Sequence, residues 1–365
     1  MIADRMSKLD SSGIRKIFDL AQKMQNPVNL SIGQPDFDVP EDIKTEAINA
    51  INRGANKYTV TQGIPELCKS LLGRLQKERG VNAENIIITS GVSGALTLAF
   101  LVLVNPGDEV LISDPSFVSY KHLTKFCGGV PLLVDTYPDF KLTAARIQPY
   151  MTPKTRILII NSPANPTGVM SSPQELKEIA ELAKKHDLLV ISDEIYHDYD
   201  YNHEFESIGR YYDRTLLMDG FSKSLAMTGW RMGYAAGPSA IINEMLKLQQ
   251  YTFVCASSFA QHALAKAGEI HLHGVLESYR KKRDLMYDGL KDKYHIVKPG
   301  GAFYLFPQVP WGTDEEFTAA AIQQNLLIIP GSVFSERHTH FRISYAAADA
   351  TIERGIDILN KLAKR

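Results

Sequence analysis

Short β-rich segments alternate with helix-like segments through the middle of this 365-residue chain, and this alternation restricts the fold more than any other feature. The β-rich runs lie at residues 110–113, 156–161, 188–192 and 215–218, and the first three end in a small or polar residue. Strands that are separated by helices form a parallel sheet with right-handed crossovers. The alternation therefore predicts an α/β protein with a mostly parallel central sheet flanked by helices.

The clearest helix pattern lies between two of these runs, at residues 172–186. Ser172 is a typical N-cap and Pro173 suits the first helical position. Leu176, Ile179 and Ala183 then repeat at helical spacing beneath a charged outer face. The pattern predicts an amphipathic helix that packs on the sheet.

Charge and cysteine content exclude several classes of function. The 40 Lys and Arg residues nearly balance the 41 Asp and Glu residues, so we expect neither nucleic acid nor an anionic membrane as a partner. Three well-separated cysteines, together with an N-terminus that lacks an apolar run, favour the reducing cytoplasm. The His-x-His pairs at 271–273 and 338–340 lack further ligands at convincing spacing, and we expect no metal.

Polar residues follow three of the predicted strands. Asn165 follows the second run, Asp193 and Tyr196 follow the third, and Lys223 follows the fourth. In open α/β sheets, ligands bind beyond the carboxyl ends of the strands. The sequence therefore predicts that these four side chains converge at one edge of the sheet.

Lys223 lies in a run of small residues and is followed eight positions later by Arg231. A lone lysine is usually a solvated surface residue. Here, however, the small residues permit close approach of a cofactor and the arginine can grip a phosphate. The run at 220–234 thus favours a lysine that forms a Schiff base with a cofactor.

Seven motifs resemble those of the class I and II aminotransferases, the aspartate aminotransferase family, and more closely its prokaryotic branch. They occur in the family's order over nearly the whole chain, at residues 31–38, 57–58 with 63–67, 89–96, 165–168, 193–196, 223–231 and 341–345. The resemblance implies a pyridoxal 5′-phosphate (PLP) enzyme of fold type I. It also implies a large PLP-binding domain at residues 46–275 and a small domain made from residues 1–45 and 276–365, with the cofactor between them.

The resemblance gives the residues at the sheet edge roles toward PLP. Lys223 would carry the Schiff base and act as the catalytic base. Asp193 would keep the pyridine nitrogen protonated, and Tyr196 and Asn165 would donate hydrogen bonds to the phenolic oxygen of the ring. Asp193 could instead be a helix N-cap, and Asn165 could also be a turn residue.

The same resemblance implies sites for the ring, the phosphate and the substrate. Phe117 would stack on the pyridine ring, although a core aromatic is the alternative. Tyr58 would reach the phosphate of a neighbouring subunit, which implies a homodimer with shared active sites. The phosphate would lie at a helix N-terminus, and Gly220 stands where the family often has a serine. The remaining implied residues are Gly91, Val92, Ser93, Ser222 and Arg231 for the phosphate, and Gly33, Asn165 and Arg342 for the substrate carboxylate.

The implied reaction moves the amino group of an L-amino acid to a 2-oxo acid, which we expect to be 2-oxoglutarate, by a ping-pong mechanism. Two alternatives remain open, a carbon–sulfur lyase of the same fold and a non-catalytic ligand-sensing module. Relatives that use acidic substrates have a cation at the position of Phe253 or Ser93, and neither is a cation here. We therefore expect an uncharged or aromatic amino donor, unless a cation such as Arg15 substitutes.

Overall fold

The computed structural model describes residues 2–9, 13–266 and 273–364, so His271 of the first His-x-His pair lies outside the described residues. Its helices, in chain order, are α1 (Gly13–Ala21), α2 (Glu41–Asn52), α3 (Pro65–Arg79), α4 (Gly91–Leu103), α5 (Val118–Phe126), α6 (Ala144–Ile147), α7 (Pro173–Lys185), α8 (Ser239–Gln249), α9 (Ser258–Lys266), α10 (His273–Leu290), α11 (Asp314–Gln323) and α12 (Asp349–Leu362). Its strands are β1 (Val28–Asn29), β2 (Asn85–Ser90), β3 (Glu109–Asp114), β4 (Val130–Asp135), β5 (Thr155–Asn161), β6 (Leu189–Asp193), β7 (Thr215–Gly220), β8 (Met232–Gly237), β9 (Tyr304–Leu305), β10 (Leu326–Leu327), β11 (Ile329–Pro330) and β12 (Phe341–Ser344).

Seven strands form the central sheet, in the order β2-β8-β7-β6-β5-β3-β4. The pairs β3–β4, β3–β5, β5–β6 and β6–β7 are parallel, whereas β8 runs antiparallel to β2 and to β7. Every residue of β6 and β7 is buried, as expected for parallel strands that helices cover on both faces. The predicted mostly parallel sheet is confirmed.

The predicted amphipathic helix is α7. Ser172 accepts a hydrogen bond from the Glu175 amide, and the Glu175 side chain accepts one from the Ser172 amide, so the helix begins with a capping box. Leu176, Ile179 and Ala183 are buried and pack against strand residues of one sheet face. On the other face, α4 and α8 cover the sheet.

A second group of short strands forms beside the sheet from distant parts of the chain. Strand β1 pairs in parallel with β10, so that Val28 lies opposite Leu326. The order β11-β12-β9 forms a separate antiparallel sheet. Both pack into a core that contains α10 and α12 residues such as Tyr279 and Ile352. The boundaries at residues 46 and 275 stay predictions.

The architecture brings the ends of β5, β6 and β7 to one edge, and β12 faces that edge from the second core. Asn161 pairs with Asp193, and Asp193 pairs with Met218, so β5 and β6 end in register and β7 extends two residues further, to Gly220. None of the described helices is long and apolar enough to cross a membrane.

Candidate active site

A cavity of about 250 Å³ lies at the carboxyl ends of the parallel strands. Eleven of the residues predicted from the sequence line it, namely Gly33, Val92, Ser93, Phe117, Asn165, Asp193, Tyr196, Ser222, Lys223, Arg231 and Arg342. Gly91 and Tyr58 are not part of this lining. The predicted convergence of side chains from separate strand ends is therefore present within one chain.

Lys223 projects into the cavity from the turn after β7. Its Nζ atom donates a hydrogen bond to the Gly33 carbonyl at 2.7 Å. Burial, and then the positive charges of Arg342 and Arg231, lower the pKa of this amine to about 8. An amine that loses its proton this readily can act as a nucleophile and as a base near neutral pH.

Asp193 is the last residue of β6 and is buried at the cavity floor. Its carboxylate accepts hydrogen bonds from the Tyr120 hydroxyl at 2.7 Å and from the Ile195 amide at 3.2 Å. Burial raises the pKa of this carboxyl group to about 6 in spite of these donors. A buried acid of this kind can bind a protonated ring nitrogen, since a neighbouring cation would restore its ionisation.

Tyr196 and Asn165 also line the cavity. The Tyr196 hydroxyl forms a hydrogen bond with the Tyr304 hydroxyl at 2.8 Å, and burial raises its pKa well above the usual value. Tyr196 therefore stays protonated and remains a hydrogen-bond donor. Asn165 is fixed by its backbone amide, which donates to the Asn161 side chain at 2.9 Å.

The first turn of α4 and Arg231 form an anion-binding corner. Val92 and Ser93 lie in that turn, where backbone amides have no helical partner. Arg231 is anchored by donating to the Thr228 carbonyl at 3.0 Å. A Cβ atom on Gly91 would lie 2.7 Å from the Arg231 Nη2 atom, so Gly91 contributes by allowing this close approach. Amides, hydroxyls and a guanidinium at one corner fit a phosphate group.

Packing explains why residue 220, where the family often has serine, is a glycine in this chain. A Cβ atom there would lie 2.8 Å from the Met232 carbonyl oxygen and 2.9 Å from the Gly233 Cα atom. The backbone of β8 thus leaves no room for a side chain at position 220. On this side of the cavity the hydroxyl is supplied by Ser222.

Arg342 is buried although its hydrogen-bond partners are neutral. Its Nη1 atom donates to the Asn165 side-chain oxygen at 3.0 Å, and its Nη2 atom donates to the Ser31 carbonyl at 2.7 Å. The Nε atom is buried and has no partner among the described residues. A buried charge is costly without a counter-ion, and this arrangement is suited to a carboxylate ligand.

Seven lining residues were not predicted by the sequence analysis, and those that carry hydroxyl groups are Tyr120, Thr228 and Tyr304. Tyr120 packs edge-on against Phe117 with ring centroids 5.7 Å apart, and its hydroxyl reaches Asp193. Its position one helical turn after Phe117 was the available signal. Tyr304 follows no motif, and only the fold brings it beside Tyr196.

Tyr58 is 85% exposed and does not line the cavity of its own chain. Its predicted contact with a neighbouring subunit is not tested by a single chain, and it stays a prediction.

Known proteins resemble this chain over its whole length. The model of the aminotransferase class I and II family matches residues 25–359. The chain is 38% identical to a probable aspartate aminotransferase of Methanocaldococcus jannaschii, over 99% of this chain and 100% of that protein. It is 37% identical to aromatic-amino-acid aminotransferase 2 of Thermococcus litoralis, over 100% of this chain and 98% of that protein.

Solved structures give the same result. The aspartate aminotransferase of Thermus thermophilus with maleate has a TM-score of 0.94 at 32% identity, covering 99% of each chain. The aromatic aminotransferase of Pyrococcus horikoshii has a TM-score of 0.90 at 35% identity, covering 96% of this chain and 98% of that one. The chain therefore belongs to the class I and II aminotransferase family and is a PLP-dependent transaminase of fold type I.

Proposed function

We propose that this transaminase moves the amino group of an L-amino acid with an uncharged or aromatic side chain to 2-oxoglutarate, in two half-reactions at the cavity. The observation that carries the proposal is Arg342, a buried guanidinium with neutral partners and an Nε atom that has no partner in the described part of the chain. Its planar fork would bind the α-carboxylate that both amino acids and 2-oxo acids possess.

The other cavity residues have complementary roles in this proposal. PLP, when bound, supplies an electron sink for the bond that breaks at the substrate Cα atom. Asp193 would hold the ring nitrogen, and Phe117 would stack on the ring. Lys223 would hold the cofactor covalently, and after its release its amine would take the proton from the Cα atom and return it on the cofactor side.

The preference for an uncharged donor rests on the number of cations in the cavity. Lys223, Arg231 and Arg342 are the lysine and arginine residues that line it, and each is assigned above to the covalent link, the phosphate or the α-carboxylate. The wall near Ser93 is formed by the apolar side chains of Ile14 and Leu96. Burying a second carboxylate there without a partner would cost several kcal/mol, to the order of magnitude.

The acceptor 2-oxoglutarate carries a distal carboxylate one methylene farther from the α-carbon than that of aspartate, and Arg15 is the candidate for binding it. By microscopic reversibility Arg15 would also bind glutamate, so the expected discrimination is against the shorter aspartate. Arg15 lines a larger apolar cavity that shares Ile14, Ser93, Leu96 and Phe117 with the active-site cavity. It pairs with Asp19 one helical turn away at 3.1 Å, and both side chains are more than half exposed. Such exposed pairs contribute little stability, so Arg15 could exchange Asp19 for a ligand.

We further propose that the enzyme is a cytoplasmic homodimer with shared active sites. The apolar side chains of Tyr58, Val60, Tyr251 and Phe253 are exposed. Gln249 joins the two segments that carry them, because its side-chain amide donates to the Thr61 carbonyl at 2.6 Å. A contiguous exposed patch of this kind favours contact with a second copy, which would carry Tyr58 toward the partner's phosphate site.

A donor screen tests the proposal. With 2-oxoglutarate as the acceptor, we expect kcat/KM for phenylalanine, methionine or alanine to exceed that for aspartate. A preference for aspartate above about tenfold, equivalent to some 1.4 kcal/mol in transition-state binding, would show that a cation had been missed. Release of more than one equivalent of product per active site without any 2-oxo acid would instead indicate an eliminating enzyme.

The variant Arg15→Met tests whether Arg15 contributes to binding of the acceptor and not of the donor. The variant should raise KM for 2-oxoglutarate and leave KM for an uncharged donor unchanged, because the two share only the α-carboxylate site. Lys16→Met, on the adjacent exposed position of α1, is the matched control. Equal effects on the acceptor and the donor would contradict a role in binding the distal carboxylate.

A further inference from the structure

Two buried carboxylates lie immediately behind the strand ends that form the cavity floor. Glu194 follows Asp193 at the end of β6, and its side chain is only 2% exposed. Asp219 lies near the end of β7, four residues before Lys223, and its side chain is 3% exposed. The Glu194 amide donates to the Met218 carbonyl at 2.9 Å, so the two segments are joined.

Arg79, the last residue of α3, bridges these two acids. Its Nη1 atom donates to Glu194 at 2.8 Å, and its Nη2 atom donates to Asp219. The Arg79 side chain is 7% exposed. The two acids also accept hydrogen bonds from neutral groups, because the Ser192 hydroxyl donates to Glu194 and the Tyr234 hydroxyl donates to Asp219, both at 2.9 Å.

His197 contacts the same guanidinium, with its Nε2 atom 2.7 Å from Arg79 Nη2. It also lies between two carboxylates, because Nε2 is 3.1 Å from Asp198 and Nδ1 is 3.3 Å from Asp219. Asp198 and Asp219 raise the pKa of its imidazole. His197 is thus paired with Asp198 and Asp219, whereas Arg79 is the cation that bonds to both Glu194 and Asp219.

This balance acts on Asp193 from the side opposite the cavity. Asp219 and Glu194 both oppose the ionisation of Asp193, because like charges repel at short range. If Arg79 were absent, an ionised Asp193 would face Glu194 without its cation and Asp219 with only His197 as a partner. A proton shared between Asp193 and a ring nitrogen would then move toward Asp193, because a protonated Asp193 adds no negative charge beside Glu194 and Asp219.

We propose that Arg79 is a positioning residue for transamination, which keeps Asp193 ionised against the pyridine nitrogen by neutralising Glu194 and Asp219 and by joining the β6 and β7 ends. Arg79 touches neither cofactor nor substrate and acts through the strand ends. The inference rests on the proposed pairing of Asp193 with the ring nitrogen.

The test is ¹⁵N NMR of the holoenzyme reconstituted with PLP labelled at the ring nitrogen. Wild type should give a pyridinium signal, and Arg79→Met should shift it toward neutral pyridine with a fall in kcat of about tenfold or more, equivalent to some 1.4 kcal/mol. Arg79→Lys, which keeps the charge, should retain most of the pyridinium signal. Arg79→Met combined with Glu194→Gln should recover part of it, because one of the two acids is removed.

Arg283→Met is the matched control, because Arg283 is similarly buried, at 8% exposure, and bonds to Asp284 and the Pro299 carbonyl in the second core. It should leave the nitrogen signal unchanged. An unshifted signal in folded Arg79→Met, or an equal shift in Arg283→Met, would overturn the proposal. If Arg79→Met does not fold, the test uses Arg79→Lys and Glu194→Gln. The proposal requires both variants to retain the pyridinium signal, and loss of the signal in either would overturn it. Asp193→Asn tests the premise separately, because a wild-type signal in that variant would refute the Asp193 pairing itself.

Discussion

Two buried arginines lie on opposite sides of the strand ends and differ in what surrounds them. Arg79 is bonded to two carboxylates of its own chain, Glu194 and Asp219. Arg342 is bonded to a side-chain amide oxygen and a backbone carbonyl, and one of its nitrogens has no partner among the described residues. A guanidinium compensated within the fold holds structure together, whereas an uncompensated one is available for a ligand. The following experiments test this distinction.

The largest effect is expected at Lys223, which faces Arg342 across the cavity. Lys223→Ala should lower turnover by more than about 10⁴-fold and abolish the absorbance change on borohydride treatment, because the covalent link to PLP and the base are both lost. Cofactor should still bind through the phosphate corner. Lys247→Ala, an exposed lysine of α8, is the control and should behave as wild type. Wild-type turnover in Lys223→Ala would refute its assignment as the base.

Replacing each arginine by methionine compares them directly. Arg342→Met should lower kcat/KM about 100-fold or more and leave the free energy of unfolding unchanged or higher, because it removes an uncompensated buried charge. Arg79→Met should lower the free energy of unfolding by about 3–5 kcal/mol, because two buried acids lose their partner. Chemical denaturation of both cofactor-free variants measures this. An equal loss of unfolding free energy in the two variants would contradict the distinction between a compensated and an uncompensated arginine.

The pH dependence of reconstitution gives an intermediate effect. Only the neutral Lys223 amine can attack PLP, so the rate at which cofactor-free protein recombines should rise with pH and level off above about 8. Because Arg342 contributes to lowering the pKa of Lys223, Arg342→Met should move the midpoint to higher pH. Arg79→Lys, which lies on the other side of the strands, should leave the midpoint pH of reconstitution unchanged. A wild-type midpoint near the usual lysine value would contradict the prediction.

The smallest effect concerns Tyr58. Tyr58→Phe should weaken retention of PLP by a few-fold, which is the contribution of about one hydrogen bond. Equilibrium dialysis measures the retention, and light scattering measures the mass. A wild-type mass near that of one chain would refute the shared site, and unchanged retention would refute the role of Tyr58.

The sequence predicted those features that depend on short stretches of chain. Asn165, Asp193 and Lys223 each follow a strand that is visible from its own composition, and register in a parallel sheet brings their positions together. The pairing of Tyr120 with Asp193 spans 73 residues, and the bonds of Arg79 span 115 and 140 residues. No local pattern distinguishes Arg79 from any other basic residue in the last turn of a helix. Its partners are set by how α3 packs on the sheet.

The pairing of β1 with β10 affects the order in which parts of the protein can fold during translation. Val28 is synthesised well before Leu326, and their strands join only when both are present. During translation, the segments that carry Lys223, Asp193 and Arg231 emerge before Arg342 does. Domains generally fold as units, and N-terminal segments have the earlier opportunity. A nascent chain can therefore assemble the phosphate corner before it possesses a site for any amino acid, so cofactor capture can precede substrate recognition in the life of the molecule.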